Sequence, residues 1–150
     1  MSYAYARSPS RGFTLMEVLI TLSMIGILAA IAIPNYTAYI QRGYRAEAKA
    51  MLLQVAQWQQ RLFTETNAYG GAVPGGMAVV PAAGTGTKRY DVTTNNVPAG
   101  QFTVTATPTG PQAGDECGSF VIDNLGRRSV VIGAMTYASG TPEVSKCWGR

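Results

Sequence analysis

FTLMEVLITLSMIGILAAIAI, residues 13–33, is the stretch on which the fold turns. Its one charge is Glu17. As an α-helix rising 1.5 Å per residue, it reaches about 32 Å, the hydrocarbon thickness of a bilayer. Residues 1–12, MSYAYARSPSRG, precede it and are short, polar and basic. Arg7 and Arg11 favour holding this side of the span in the cytoplasm. An ordinary secretory signal would be cut after the apolar run, and Ala29 and Ala30 ahead of Pro34 offer such a site. That alternative would remove the anchor.

The junction Arg11-Gly12-Phe13-Thr14-Leu15-Met16-Glu17 argues against that alternative. Gly12, Phe13, Thr14, Leu15 and Glu17, followed by an uninterrupted apolar helix, resemble the type IV pilin family. The resemblance implies cleavage by a prepilin peptidase between Gly12 and Phe13, N-methylation of Phe13, and retention of the helix. It also implies a role for Glu17. A carboxylate within a membrane costs on the order of 2.5–3.5 kcal/mol, so it needs a partner. Cleavage creates one, because the new α-amine at Phe13 is cationic at neutral pH. In a helical assembly, Glu17 of one subunit meets the Phe13 amine of its neighbour, and the two charges cancel in apolar surroundings. The alternative is a Glu17 that snorkels to the interface.

Gly26 and Pro34 bracket GILAAIAIP, where glycine weakens a helix and proline disrupts the preceding turn. A gentle kink at Pro34 is expected. Beyond it, Ala48, Met51, Leu52, Val55, Trp58 and Leu62 recur at spacings of three and four and share one helical face. A helix over 35–66, continuous with the membrane span, follows from that pattern. Residues 69–86, rich in Gly, Ala, Pro and Val, read as an irregular connection.

Four strands are expected at 90–93, 101–107, 117–123 and 127–132. The second alternates, with Phe102, Val104 and Ala106 on one face. Asp123-Asn124-Leu125-Gly126 reads as the turn joining the last two. The closing segment, 133–150, carries little regular pattern. The fold class is therefore α+β: a long N-terminal helix, half membrane-spanning and half amphipathic, laid on a small antiparallel sheet. The organisation expected is a leader at 1–12, a transmembrane and polymerisation helix at 13–34, and a head at 35–150.

Cys117 and Cys147 are the two cysteines of this 150-residue chain. An even count in a small domain beyond a membrane anchor fits an oxidising compartment. Closing a loop of about 30 residues contributes roughly 3–4 kcal/mol in the chain-entropy account. Two unpaired thiols are the alternative. Further motifs narrow the resemblance to the PilE-like and ComP-like pilins. They are Arg45-Ala46-Glu47-Ala48-Lys49 with Leu53-Ala56-Gln57, then Tyr69, Asp115-x-Cys117-Gly118, Asp123-x-x-Gly126 and Cys147-Trp148.

The composition excludes more than it selects. The chain has no histidine, so Ser-His and Cys-His nucleophile pairs are absent from the sequence and no enzyme or cofactor is expected. Asp115, Glu116 and Asp123 match no defined Ca²⁺ loop and read as solvated acidic turns. The formal charge of +4 falls to about +2 once Arg7 and Arg11 are removed, too little to imply nucleic-acid binding. The resemblance implies a pilus subunit that works by polymerising with other pilins and supports adhesion, twitching motility or DNA uptake. It would be handled by the prepilin peptidase and the pilus assembly machinery. It would sit in the inner membrane with its head in the periplasm before joining an extracellular filament. A ComP-like DNA receptor is the second reading. Its candidate contacts are Lys88, Arg89, Arg127, Arg128, Lys146 and Arg150, with Trp148 as a stacking face. A type II secretion pseudopilin is the third.

Overall fold

The computed structural model describes residues 12–97 and 100–149. Arg7, Arg11, most of the expected leader and Arg150 lie outside them. The chain divides into two compact units, with the boundary between Ala38 and Tyr39.

From Leu15 on, the first unit is helix, most of it apolar. A single helix, α1 (Leu15–Thr66), includes this stretch and runs on into the second unit, with Gly26 and Pro34 both inside it. Thr14 caps its start, its hydroxyl accepting the Glu17 N–H at 3.2 Å. Pro34 has no N–H to give the turn before it. One residue on, the Asn35 side-chain amide donates to the Ile31 carbonyl at 3.1 Å, adding a bond where the ladder is weakened.

The second unit packs the C-terminal part of α1 on a sheet. Ala48, Leu52, Val55 and Gln59 are its fully buried helix positions. The buried stripe is thus centred one position away from Met51, Trp58 and Leu62, which are only partly covered. Gln59 broke the apolar pattern because it is polar. Its Oε1 accepts the Gly70 N–H at 3.3 Å, tying down the chain just after the helix ends. Tyr69 stacks on Phe63 with ring centroids 4.5 Å apart and meets Phe102 edge-on at 4.8 Å. It therefore links the end of α1 to the sheet.

The sheet has six strands rather than the four expected. They are β1 (Val79–Val80), β2 (Tyr90–Val97), β3 (Gln101–Pro108), β4 (Ser119–Asp123), β5 (Arg128–Ile132) and β6 (Met135–Tyr137). They form an antiparallel meander in sequence order. The two strands missed are the edges. With two and three residues, they are too short to show alternation, and each lies in a stretch read as irregular. A second helix, α2 (Pro142–Trp148), also occupies that closing stretch. Its signal was present: Thr141 as cap, Pro142 in the first turn and Glu143 beside the helix N-terminus.

The expected face of β3 is observed. Phe102, Val104 and Ala106 are buried together with Val92, Phe120, Ile122 and Val130. Asp123 closes the β4–β5 turn by accepting the Leu125 and Arg127 N–H groups at 3.0 and 2.8 Å, while Gly126 adopts φ 75°.

Candidate functional site

Two parts of the chain carry features that packing alone does not require. The first is the tip of α1. Phe13, Leu15 and Met16 expose 85, 77 and 66% of their surfaces, and the apolar side chains continue exposed to Ile33. Soluble monomers rarely leave so long an apolar stretch uncovered. By length and composition it is apolar enough to cross a membrane. Phe13 and Glu17 lie four residues apart and, with Val18 and Thr21, border a shallow hollow of about 270 Å³.

The second part is the seam between α1 and the end of the head. Arg45 and Lys49, one helical turn apart, reach the two ends of the segment closed by Cys117 and Cys147. The two cysteines are joined, with Cα atoms 5.6 Å apart across a sequence separation of 30. Unpaired thiols are thereby excluded. At one end, Arg45 Nε donates to Asp115 Oδ2 at 2.8 Å. The other Asp115 oxygen accepts the Cys117 N–H at 2.7 Å. Gln112 also donates to Asp115, and its amide reaches the Gln41 carbonyl at 3.4 Å. The Asp115 side chain is fully buried.

At the other end, Lys49 Nζ donates to the Cys147 and Trp148 carbonyls at 3.3 and 3.1 Å. A cation there answers the negative end of α2. Trp148 Nε1 donates to the Ser129 carbonyl at 3.1 Å, and its ring meets Phe120 edge-on at 5.6 Å.

The electrostatics follow from this enclosure. For Arg45, burial works against the charge, but the bond and charge of Asp115, then of Glu116, outweigh it and raise its pKa. Lys49 has no such partner. Burial, then the nearby Arg45 and Arg128, lower its pKa. Burial and the Asp115 charge push the Tyr90 phenol up, so it stays neutral. The matched motifs thus have a physical content. Arg45 and Lys49 hold the two ends of one closed loop, and Asp115 orders the backbone before the first cysteine. Gly118 adopts φ 58°, and a Cβ there would sit 2.0 Å from the Val131 oxygen.

The basic residues do not form one free stripe. Lys88 pairs with Asp91 at 3.0 Å, Arg127 with Asp123 at 2.6 Å and Lys146 with Glu116 at 2.9 Å. The Arg89 guanidinium lies 4.6 Å from the centre of the Tyr44 ring, and that of Arg128 lies 5.3 Å from the Trp148 ring. Trp148 is 8% exposed, which leaves little face for a base to stack on. Asp115, Glu116 and Asp123 are likewise engaged with Arg45, Lys146 and Arg127, and no cluster fit to hold a metal occurs among the described residues.

An exposed apolar helix that continues into an antiparallel sheet, with a disulfide-closed C-terminal region, defines the class of type IV pilins. The family model described as "Type IV minor pilin ComP, DNA uptake sequence receptor" matches residues 34–121, more than half of the chain. The chain belongs to that family. A second model, "Prokaryotic N-terminal methylation motif", matches residues 7–33. The type IV major pilin protein PilA of Myxococcus xanthus is 45% identical over 60 residues, 40% of this chain and 27% of that one. The type IV major fimbrial protein FimA of Dichelobacter nodosus is 49% identical over 45 residues, 30% of this chain and 28% of that one. This chain thus spans little more than a quarter of the length of the curated relatives it matches. A solved type IV pilin from Shewanella oneidensis aligns with a TM-score of 0.47 at 22% identity, over 59% of this chain and 89% of that one. The protein is thus a type IV pilin by family, with an N-terminal methylation motif at the start of its apolar helix.

Proposed function

We propose that this chain is made as a precursor, loses residues 1–12, and keeps its apolar helix as a membrane anchor and filament core. The supporting observation is the apolar stretch from Phe13 to Ile33, helical from Leu15, whose large side chains stay exposed and whose only charge is Glu17. Before assembly the span crosses the inner membrane once, with the head, residues 35–150, in the periplasm. The prepilin peptidase cuts after Gly12 and methylates Phe13. The assembly machinery then draws the subunit into a filament, where Glu17 meets the Phe13 amine of a neighbouring subunit. Intact-mass measurement of subunits sheared from the cell surface tests this reading. A chain starting at methylated Phe13 is expected, and one starting beyond Ala30 would end it. Replacing Gly12 with leucine should leave the unprocessed mass.

A second reading, direct contact of the head with DNA, is favoured by the description of the matching family as a DNA uptake sequence receptor. Lys88, Arg89, Arg127, Arg128 and Lys146 remain the candidate contacts, together with Arg150. Phosphates would have to draw Lys88, Arg127 and Lys146 from their carboxylates, so binding should be weak and fall steeply with salt. A gel-shift titration of the head fragment from Gln41 onward tests it. The absence of a shift at low salt would remove DNA as a partner of the isolated head.

A further inference from the structure

On the solvent face of the sheet, opposite α1, lies a hollow of about 330 Å³. That volume falls at the lower end of small-ligand pockets, roughly 300–1,000 Å³. It opens where β6 stops at Tyr137 and the chain turns away through Ala138 and Ser139. Thr103, Ser129, Thr136 and Ser139 bring four hydroxyls to its wall, and Val121 supplies an apolar floor. Thr103, Val121 and Ser129 alternate with the buried Phe102, Val104, Phe120, Ile122 and Val130, so they face outward.

Arg127 and Asp123 border the same hollow. Asp123 receives two backbone N–H groups on one oxygen and Arg127 Nε on the other. The bond to Nε fixes the guanidinium on the rim and leaves its two terminal nitrogens to bond outward. That fork matches a carboxylate, which it can hold with two parallel bonds. Hydroxyls on the wall suit the ring hydroxyls of a sugar. No aromatic side chain lines the hollow, so stacking of a neutral sugar face has no platform there. Arg128 also borders the hollow, with its guanidinium 5.3 Å from the centre of the Trp148 ring. With Arg127 paired to Asp123, these two cations make no track of unpaired charges, which is what a polyphosphate backbone rewards.

We propose that this hollow binds an acidic sugar unit of a polysaccharide, a uronate. Arg127 grips its carboxylate, the Ser and Thr hydroxyls bond its ring oxygens, and Asp123 positions Arg127. The filament would thereby carry an adhesive site on its heads, separate from the polymerising helix.

The test is calorimetric titration of the full chain in detergent with hexagalacturonate, with maltohexaose as the neutral control. Wild type should bind the acidic oligosaccharide only. Arg127→Gln should weaken binding by about tenfold or more, the cost of a charge-assisted pair. Thr136→Val, on the exposed edge strand, should weaken it by about threefold. Arg61→Gln, an exposed position on α1 outside the hollow, should leave it unchanged. If Arg127→Gln lowers the thermal midpoint, Thr136→Val decides. No binding by wild type, equal binding of maltohexaose, or retained affinity in the deciding variant would overturn the proposal. So would an equal loss in Arg61→Gln. Displacement of the sugar by duplex DNA would assign the hollow to nucleic acid instead.

Discussion

At Gly118 the backbone has a left-handed φ of 58° and no room for a methyl group beside the Val131 carbonyl. Alanine there meets both strain and collision, so Gly118→Ala should cost about 3 kcal/mol or more in urea unfolding. Arg45 makes the complementary case. Removing it leaves the fully buried Asp115 carboxylate without its cation. Arg45→Ala should therefore destabilise the head by about 3–5 kcal/mol. Replacing both residues with apolar groups should recover much of the loss. A double variant as unstable as Arg45→Ala alone would mean that the Asp115 bond to Cys117 carries the effect. Asp123 sets a pH dependence. Burial resists its charge, but the Arg127 side chain and the Arg127 and Leu125 N–H groups lower its pKa overall. Its contribution is complete above the ordinary aspartate value, near 4, and is lost as pH falls through the lower folded value. Thermal melts should fall below about pH 4, and Asp123→Asn should flatten that fall.

Among the elements, the disulfide-closed region offers the cleanest measurement. Cys117 and Cys147 close a separation of 30 residues, so replacing both with serine should cost roughly 3–4 kcal/mol. Thr141→Ala, which removes the hydroxyl that caps α2, should cost about 1 kcal/mol. What the sequence made legible divides along physical lines. Alternation of apolar residues marked β3, and its core face was read correctly. The long apolar run and the three-and-four spacing marked α1. Edge strands of two and three residues are set by pairing with β2 and β5, and pairing leaves no local pattern. Gln59 is buried because its amide serves the turn at Gly70, a partner 11 residues away that periodicity cannot reveal. The basic residues were visible as charges, but their pairing was only partly so. Lys88–Asp91 and Asp123–Arg127 are close in sequence, whereas Lys146 and Glu116 meet only through the disulfide loop.

For the whole molecule, the division near Tyr39 sets off a unit that contains the whole buried core. A fragment starting at Tyr39 keeps every buried core residue of the head, so it should remain monomeric and fold cooperatively without detergent. Sedimentation together with a thermal melt would check this, and aggregation at low concentration would refute it. In the complete chain, Glu17→Val should be processed and inserted normally yet fail to form surface fibres, because the neighbour's ammonium then goes unanswered. Normal piliation in a strain whose only major subunit carries the change would exclude the pairing. The grip of Lys49 on the Cys147 and Trp148 carbonyls has a bearing on biogenesis. Its partners lie 98 and 99 residues downstream. While the chain is being made, that ammonium goes unmatched until the distal turn is delivered. A product ending before Trp148 should therefore keep its seam ajar and be cut by protease faster than the full-length chain.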